Sequence, residues 1–362
     1  MQDDNILILN GDDVLSVLTG REVEIMNTVQ RAYEAHARGD SSLPHSSFLR
    51  FPRESTNRII ALPAFLGDEF QIAGMKWIAS FPANRDAGLD RASAVLVLNS
   101  MLTGRPLALI EGSIISAKRT AASAALAARH LHNWQGASRL GLIGCGLINL
   151  EVARFTLADW PQTRSLLLFD TERDRACQFK VKAEKLFPEV EIAIAGDVDS
   201  VLKNCPLLSI ATTAIEPHIS DLSSCAPGTT ILHISLRDLT PEVILSCDNV
   251  VDDVDHVCRA QTSVHLAELM AGNRDFIRCT LADVLLGSAA RPVALAKAIF
   301  SPFGLGILDI AVGKLVCDLA KSEGRGTVID SFLPASWTSR QESAAVLEER
   351  SCAANSGVRL AS

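Results

Sequence analysis

Apolar positions recur at helical spacing over residues 22–38, where Val23, Met26, Val29, Tyr33 and Ala37 form one stripe and Gly39 supplies a stop, so an amphipathic helix is predicted there. The period then shortens. Residues 46–51, 58–64, 71–80 and 92–99 are short, β-rich and separated by Pro, Gly and Asn, as in an antiparallel sheet. Thr103-Gly104 reads as a turn into a further strand over 106–111, and an alanine-rich helix is predicted over 113–132. From Ser138 the pattern changes to strands alternating with helices: LGLIG, SLLLFD, VEIAIA, LLSIATTA, TTILHIS and NVVDD carry the spacing of a doubly wound parallel sheet. Beyond Ile299, SPFGLGILDIAVGKLVCDLAKSEG reads as a glycine-rich loop and a helix, expected to pack back on the first part of the chain because no sheet remains to be built. Residues 338–362 are polar and small with no period, and a frayed or disordered tail is expected there.

The expected fold class is therefore α/β, with a Rossmann-type doubly wound domain over 121–299 and an α+β domain built from 1–120 and 300–337. A length of 362 residues fits two domains, at about 150 residues each. With 34 Lys and Arg against 42 Asp and Glu, the net charge is −8, and no dense basic run is present, which argues against nucleic acid as a partner. Nine cysteines without a CxxC pair fit reduced thiols rather than a disulfide framework or a zinc site. The start, MQDDNILILNGDD, has no basic segment leading into an apolar core. No apolar stretch reaches the roughly 18 residues of a membrane span, so a soluble cytoplasmic protein is expected.

The chemistry concentrates first at SRLGLIGCG. Gly144 and Gly146 lie between an apolar strand and a helix starting near Ile148, where backbone can approach a pyrophosphate at the helix N-terminus. Asp170 closes the next apolar run, where an acid can accept hydrogen bonds from ribose hydroxyls. A tight strand-to-helix turn without a ligand is the plain alternative, since Asn149 stands where a third glycine is expected. Strand, helix and acid together favour a nicotinamide or flavin cofactor. Asp170 repels a 2′-phosphate and so favours NAD over NADP, with Arg173 and Arg175 close behind as the counter-argument.

Lys76 is the one charged residue between Phe70 and Asn84, and alternation places it with Ile72, Gly74 and Ile78. A lysine in such a strand is paired, neutral, or snorkelling at an edge. Arg119 opens a helix of small residues and suits carboxylate recognition, whereas Lys118 points about 100° away. Arg50 in SSFLRFP is a third cation, with an exposed strand arginine as the alternative. Asp238 sits in LHISLRDLTPE at the carboxyl edge of a parallel strand, where such sheets bind substrates. It could instead cap a helix opened by Pro241, and Arg237 beside it could face a substrate carboxylate. Cations in one domain facing a carboxylate on the other point to an amino-acid substrate. The acids of VVDDVDHV lack a ligand spacing, and no metal is expected. His233 and His265 read as hydrogen-bonded structural residues rather than catalysts.

AGMKWIASFP, TGRPLALIEGS, KRTAASAALAARHL and the glycine turn, in this order, resemble the ornithine cyclodeaminase/mu-crystallin family, over nearly the whole chain to Trp337. LPHSSFLRFP, ISLRDLTPE, NVVDDVDHVCRAQTSVHLAE, GNRDFI and SPFGLGILD are similar to its N-(2-amino-2-carboxyethyl)-L-glutamate dehydrogenase branch. Leu147-Ile148-Asn149, where cyclodeaminases commonly carry a glutamine-containing sequence, also favours that branch.

The resemblance implies a homodimer whose N-terminal domains jointly close a β-barrel, each with an NAD-binding Rossmann domain. It further implies oxidation of a secondary amine to 2-oxoglutarate, L-2,3-diaminopropionate and NADH, in service of siderophore or peptide-antibiotic synthesis. In that reading Lys76, Arg50 and Arg119 hold carboxylates, and Asp238 is a general base or proton relay. Asn149 faces the phosphates, while Thr212, Thr213, Ser301 and Gly304 line the nicotinamide side. The rival readings are a cyclodeaminase that turns ornithine into proline and ammonia, a non-catalytic mu-crystallin-like binding protein, and an imine reductase.

Overall fold

Two eight-stranded sheets organise the chain. The structure is a computed structural model that describes residues 5–132 and 139–333; Ser138 and the expected tail over 338–362 lie outside the described residues. The first sheet uses β1 (Ile6–Leu9), β2 (Ser41–Ser42), β3 (Ser47–Phe51), β4 (Glu54–Leu66), β5 (Ile72–Ser80), β6 (Ala92–Ser100) and β7 (Pro106–Glu111). The second uses β8 (Arg139–Ile143), β9 (Ser165–Phe169), β10 (Glu191–Ile194), β11 (Leu207–Ile210), β12 (Thr230–His233), β13 (Asp248–Val251), β14 (Ile277–Thr280) and β15 (Ala298–Ser301). A last strand, β16 (Thr327–Ile329), returns to the first.

Strands β4 to β7 form an antiparallel meander, and β1 joins β7 in parallel. The register fixes what shares a face. Lys76 stands opposite Leu62 and Leu96, while Arg58 stands opposite Ser80 and Arg50. Because side chains alternate along a strand, Lys76, Ile78, Ser80, Ile60, Arg58 and Arg50 lie on one side of the sheet. The helix Gly306–Ser322 covers the inner part of that side. Its one polar stripe is Lys314, Asp318 and Lys321 toward the C-terminal end, and Asp309 is a buried acid away from it.

The second sheet is parallel throughout, in the order β10-β9-β8-β11-β12-β15-β13-β14. Chain order reverses between β8 and β11, where open α/β sheets leave a crevice at their carboxyl edge. The alanine-rich helix Ser113–Leu131 packs against helix Glu22–Ala37 and helix Leu147–Asp159, so its small residues bring both sheets' coverings together. The expectation that no sheet remained after Ile299 is corrected twice. Ser301 still belongs to β15, and β16 pairs antiparallel with β1. A three-residue, fully exposed edge strand carries no alternation from which to predict it. The capping box of Asn10 and Asp13, which starts helix Gly11–Leu18, is legible in NGDDVLSVL.

Candidate active site

At the crevice of the second sheet, β8 ends in a turn that requires glycine. Gly144 has φ +93°, and a Cβ on it would lie 2.5 Å from the Ala211 carbonyl oxygen. Its N–H donates to the Phe169 carbonyl at 2.8 Å, tying the turn to β9. Gly146 then caps helix Leu147–Asp159 without any side-chain bond, and a Cβ there would meet nothing within 4 Å. Helix N–H groups thus open onto free space, the setting in which a pyrophosphate binds. Asp170 follows β9 beside this turn: its Oδ2 accepts the Cys145 N–H at 2.8 Å and its Oδ1 the Glu172 N–H at 3.0 Å.

Asn149 does something other than face phosphates. Its side chain is buried, with Nδ2 donating to the carbonyls of Ile143 at 2.9 Å and Gly144 at 2.7 Å, and Oδ1 accepting the Ser209 hydroxyl at 2.7 Å. It braces the turn from beneath. A helix close to the strand elsewhere relies on a third glycine; here a small amide fills the same place and satisfies carbonyls that the turn exposes.

A second cluster joins three elements: Lys76 comes from β5, Arg119 from helix Ser113–Leu131 and Asp309 from helix Gly306–Ser322. Lys76 Nζ lies 2.7 Å from Asp309 Oδ2 and donates to Ser116 Oγ at 3.0 Å. Arg119 Nε donates to Asp309 Oδ1 at 3.0 Å. Lys76 is therefore paired, not snorkelling. Burial, followed by the Arg119 charge, pulls its pKa down to about 8, and Asp309 opposes that shift. Lys118 turns away to Glu151, at 3.2 Å.

Gly304 packs against Arg119. With φ +93°, it places its α-carbon so that a Cβ would lie 2.7 Å from Arg119 Nη1. Asp252 holds this loop by accepting the N–H groups of Phe303 at 2.8 Å and Gly304 at 2.7 Å. Asp253 caps the short helix Val254–Val257 and binds His256, so two of the apparent ligands in VVDDVDHV already have structural partners.

Asp238 is fully buried after β12. Thr240, not Asp238, caps helix Pro241–Leu245. Both carboxylate oxygens are occupied: Thr212 donates to Oδ1 and Ser235 to Oδ2, while His233 Nε2 lies 3.4 Å from Oδ2. Burial raises its pKa, but His233, Ser235 and Thr212 outweigh burial and hold it below the ordinary carboxylate value. An oxygen open to substrate, as direct base catalysis needs, is not what the structure presents. His233, set aside in the sequence as structural, belongs to this cluster. Ser301 also faces it, its hydroxyl 3.3 Å from His233 Nδ1. Thr213 is exposed next to Thr212.

The model of the ornithine cyclodeaminase/mu-crystallin family matches residues 11–324. The chain belongs to this family. It is similar to the N-((2S)-2-amino-2-carboxyethyl)-L-glutamate dehydrogenase of Staphylococcus aureus, at 27% identity over 90% of this chain and 99% of that one. An archaeal alanine dehydrogenase dimer with bound NAD has the same architecture, with TM-score 0.80 and 26% identity over 90% of this chain and 99% of its own. The Thermococcus litoralis Δ1-pyrroline-2-carboxylate reductase, solved with NADH and L-proline, shares the fold at TM-score 0.83 and 24% identity, covering 89% of this chain and 99% of that one.

For a family member of this kind, the informative departure from expectation is Arg50. It does not join Lys76 and Arg119; it sits exposed on β3, its guanidinium 5.6 Å from the Phe48 ring centroid and its cross-strand partner Arg58. Among the described residues no group of acids, histidines and cysteines is arranged to hold a metal, and no helix is long and apolar enough to cross a membrane.

Proposed function

We propose that this chain is an NAD-dependent dehydrogenase that oxidises N-(2-amino-2-carboxyethyl)-L-glutamate and releases 2-oxoglutarate and L-2,3-diaminopropionate. One observation carries the reading: two buried cations, Lys76 and Arg119, share the single carboxylate of Asp309, with Gly304 packed directly against the Arg119 guanidinium. Such a cluster calls for a substrate carboxylate. The similarity to the staphylococcal dehydrogenase supports the particular secondary amine.

The turn of Gly144 and Gly146, with Asp170 for the ribose, fits NAD. Held there, NAD would supply the hydride acceptor for the substrate carbon that bears the carboxylate. Lys76 and Arg119 hold that carboxylate and so orient the carbon beside it. The resulting C=N bond adds water, and the carbinolamine collapses to a ketone and a primary amine. Substrate, NAD⁺ and water thus become 2-oxoglutarate, diaminopropionate, NADH and a proton. Asp238 acts at one remove, by accepting a hydrogen bond from the Thr212 hydroxyl and so fixing that side chain. Lys76, with a pKa near 8, is a second group able to exchange a proton at the site.

Residues 1–120 and 300–337 form the substrate and dimerisation domain in this reading, with 121–299 the cofactor domain. The sheet face opposite Lys76 supports a homodimer, because it leaves Leu49, Trp77 and Val95 exposed at 46%, 37% and 40%. A second copy covering that face would join the two sheets into a barrel. The protein works in the cytoplasm and supplies diaminopropionate for siderophore or peptide-antibiotic synthesis.

The test is incubation with NAD and N-(2-amino-2-carboxyethyl)-L-glutamate, following NADH by absorbance and products by mass spectrometry, with ornithine in parallel. Equal amounts of NADH, 2-oxoglutarate and diaminopropionate are expected. Proline from ornithine without net NADH, or no turnover of either compound, overturns the proposal.

A further inference from the structure

A second group of cations lies at the far end of the same sheet face. Arg50 on β3 is paired in register with Arg58 on β4, and Arg58 in turn with Ser80 on β5. Ser80 is four residues beyond Lys76 on one strand, about 13 Å along it at roughly 3.3 Å per residue. Between the two ends the same face carries Ile60 opposite Ile78. The surface therefore runs from a cationic pocket, over an apolar floor, to a second cationic cluster.

Arg237 reaches that cluster from the other sheet. It precedes Asp238 in the loop after β12, and its Nη2 is anchored on the Ala260 carbonyl at 2.8 Å. The three guanidinium groups feel one another. Burial and then Arg50 lower the pKa of Arg58; burial, Arg58 and Arg50 lower that of Arg237, against only Asp238 in the opposite sense. Arg58 Nε is buried with no hydrogen-bond partner, and among the described residues no carboxylate forms an ion pair with Arg50, Arg58 or Arg237. Three like charges with only the hydrogen-bonded Asp238 opposing one of them, and one with an idle donor, make a site short of an anion. The cluster is not placed for a cofactor phosphate on the adenosine side, because Asp170 follows β9, on the other side of the switch point from β12.

We propose that Arg50, Arg58 and Arg237 form a second anion subsite, which takes a substrate carboxylate remote from the reacting carbon and makes the site selective for compounds with carboxylates at both ends. This rests on the dehydrogenase reading for its reaction, but not for its ligand class. Lys76 and Arg119 hold the carboxylate beside the reacting carbon; the isoleucines meet the methylene groups between; the arginine cluster measures the length. A monocarboxylate amino acid fills one end and leaves the arginines uncompensated.

The test is binding of 2-oxoglutarate and of 2-oxobutyrate to the NADH-loaded full-length protein by calorimetry, in the wild type and in Arg58→Gln, Arg237→Gln and Arg50→Gln. The wild type is expected to prefer the dicarboxylate by about 10- to 100-fold, the worth of a charged hydrogen bond. Arg58→Gln and Arg237→Gln should remove most of that preference by weakening 2-oxoglutarate alone. Arg50 is exposed, so its variant keeps the test open if either of the others fails to fold. Equal affinities for the two acids in the wild type, or an unchanged preference in every folded variant, overturn the subsite. A preference that is present and arginine-dependent, with no turnover of the proposed secondary amine, upholds the subsite and rejects only the substrate.

Discussion

Lys76 and Asp309 meet at 2.7 Å with side chains only 3% and 0% exposed, and Arg119 occupies the other oxygen of the same carboxylate. Two cations and one anion out of water are tolerable only as a unit. Removing the shared anion strands both cations, a change that costs about 3–5 kcal/mol in comparable buried pairs. Asp309→Asn is therefore expected to lower the unfolding free energy measured in urea by that order, moving the midpoint down, and Lys76→Met in the same background to restore part of it. An unchanged midpoint in the single variant would show that the carboxylate is not compensating the pair.

The lowered pKa of Lys76 has two consequences with defined signs. Carboxylate binding needs the ammonium form, so kcat/KM should be flat below pH 8 and fall as pH rises through about 8. Lys76→Arg should move that limb out of the accessible range. Stability runs the other way. Between about 8 and the ordinary 10.5 the folded lysine has lost a proton that the unfolded chain keeps, so this group makes the protein more stable as pH rises across the window. A limb that survives unchanged in Lys76→Arg would assign it to another group.

Gly304 controls Arg119 by contact rather than by charge. A methyl group at 304 would press on the guanidinium and also force alanine into a left-handed backbone conformation. Gly304→Ala should lower kcat/KM by about 10- to 100-fold, the scale of a misplaced binding group, mainly through KM. NAD affinity, measured by fluorescence titration, should stay within about twofold, since this loop does not carry the glycine turn. Wild-type KM in the variant would mean that Arg119 does not hold the substrate.

How far the sequence carried these conclusions depends on whether the signal was local. Lys76 and Asp309 advertise themselves in the same way, as a lone charge in an apolar run, yet Asp309 was read as part of a packing helix. Alternation on a strand gives a lysine a direction; on a helix that also carries Lys314, Asp318 and Lys321, one more acid near the start does not stand out until its burial is known. Its partner Arg119 lies 190 residues away, and no local pattern reports such a contact. Asp170, Gly144 and Gly146 were legible because strand, turn and acid recur at fixed spacing. Asn149 was misplaced for the opposite reason: a residue at a helix start can face outward or inward, and only the carbonyls of Ile143 and Gly144 decide. Arg58 and His233 became visible only with the register of β4 and the loop after β12.

The proposed contact of Asp170 with the ribose makes the choice of dinucleotide depend on a charge that also serves the fold. Its Oδ2 accepts the Cys145 N–H at 2.8 Å, so removing the side chain would loosen the glycine turn and confuse the result. Asp170→Asn keeps an acceptor oxygen and removes the charge. With Arg175 Nη1 3.9 Å from the carboxylate and its Nη2 on Glu172 at 2.8 Å, the variant removes one of the two anions that offset this cation beside the ribose site. The ratio of kcat/KM for NAD to that for NADP should fall by about 10- to 100-fold, as expected when a charged contact is lost on one side and gained on the other. The change should appear in KM, because the reacting ring lies at the far end of the cofactor from the adenine ribose. Calorimetry with both nucleotides separates this from a general loss of binding: weakened NAD together with strengthened NADP is the expected result, and parallel weakening of both would make Asp170 a brace for the turn and nothing more.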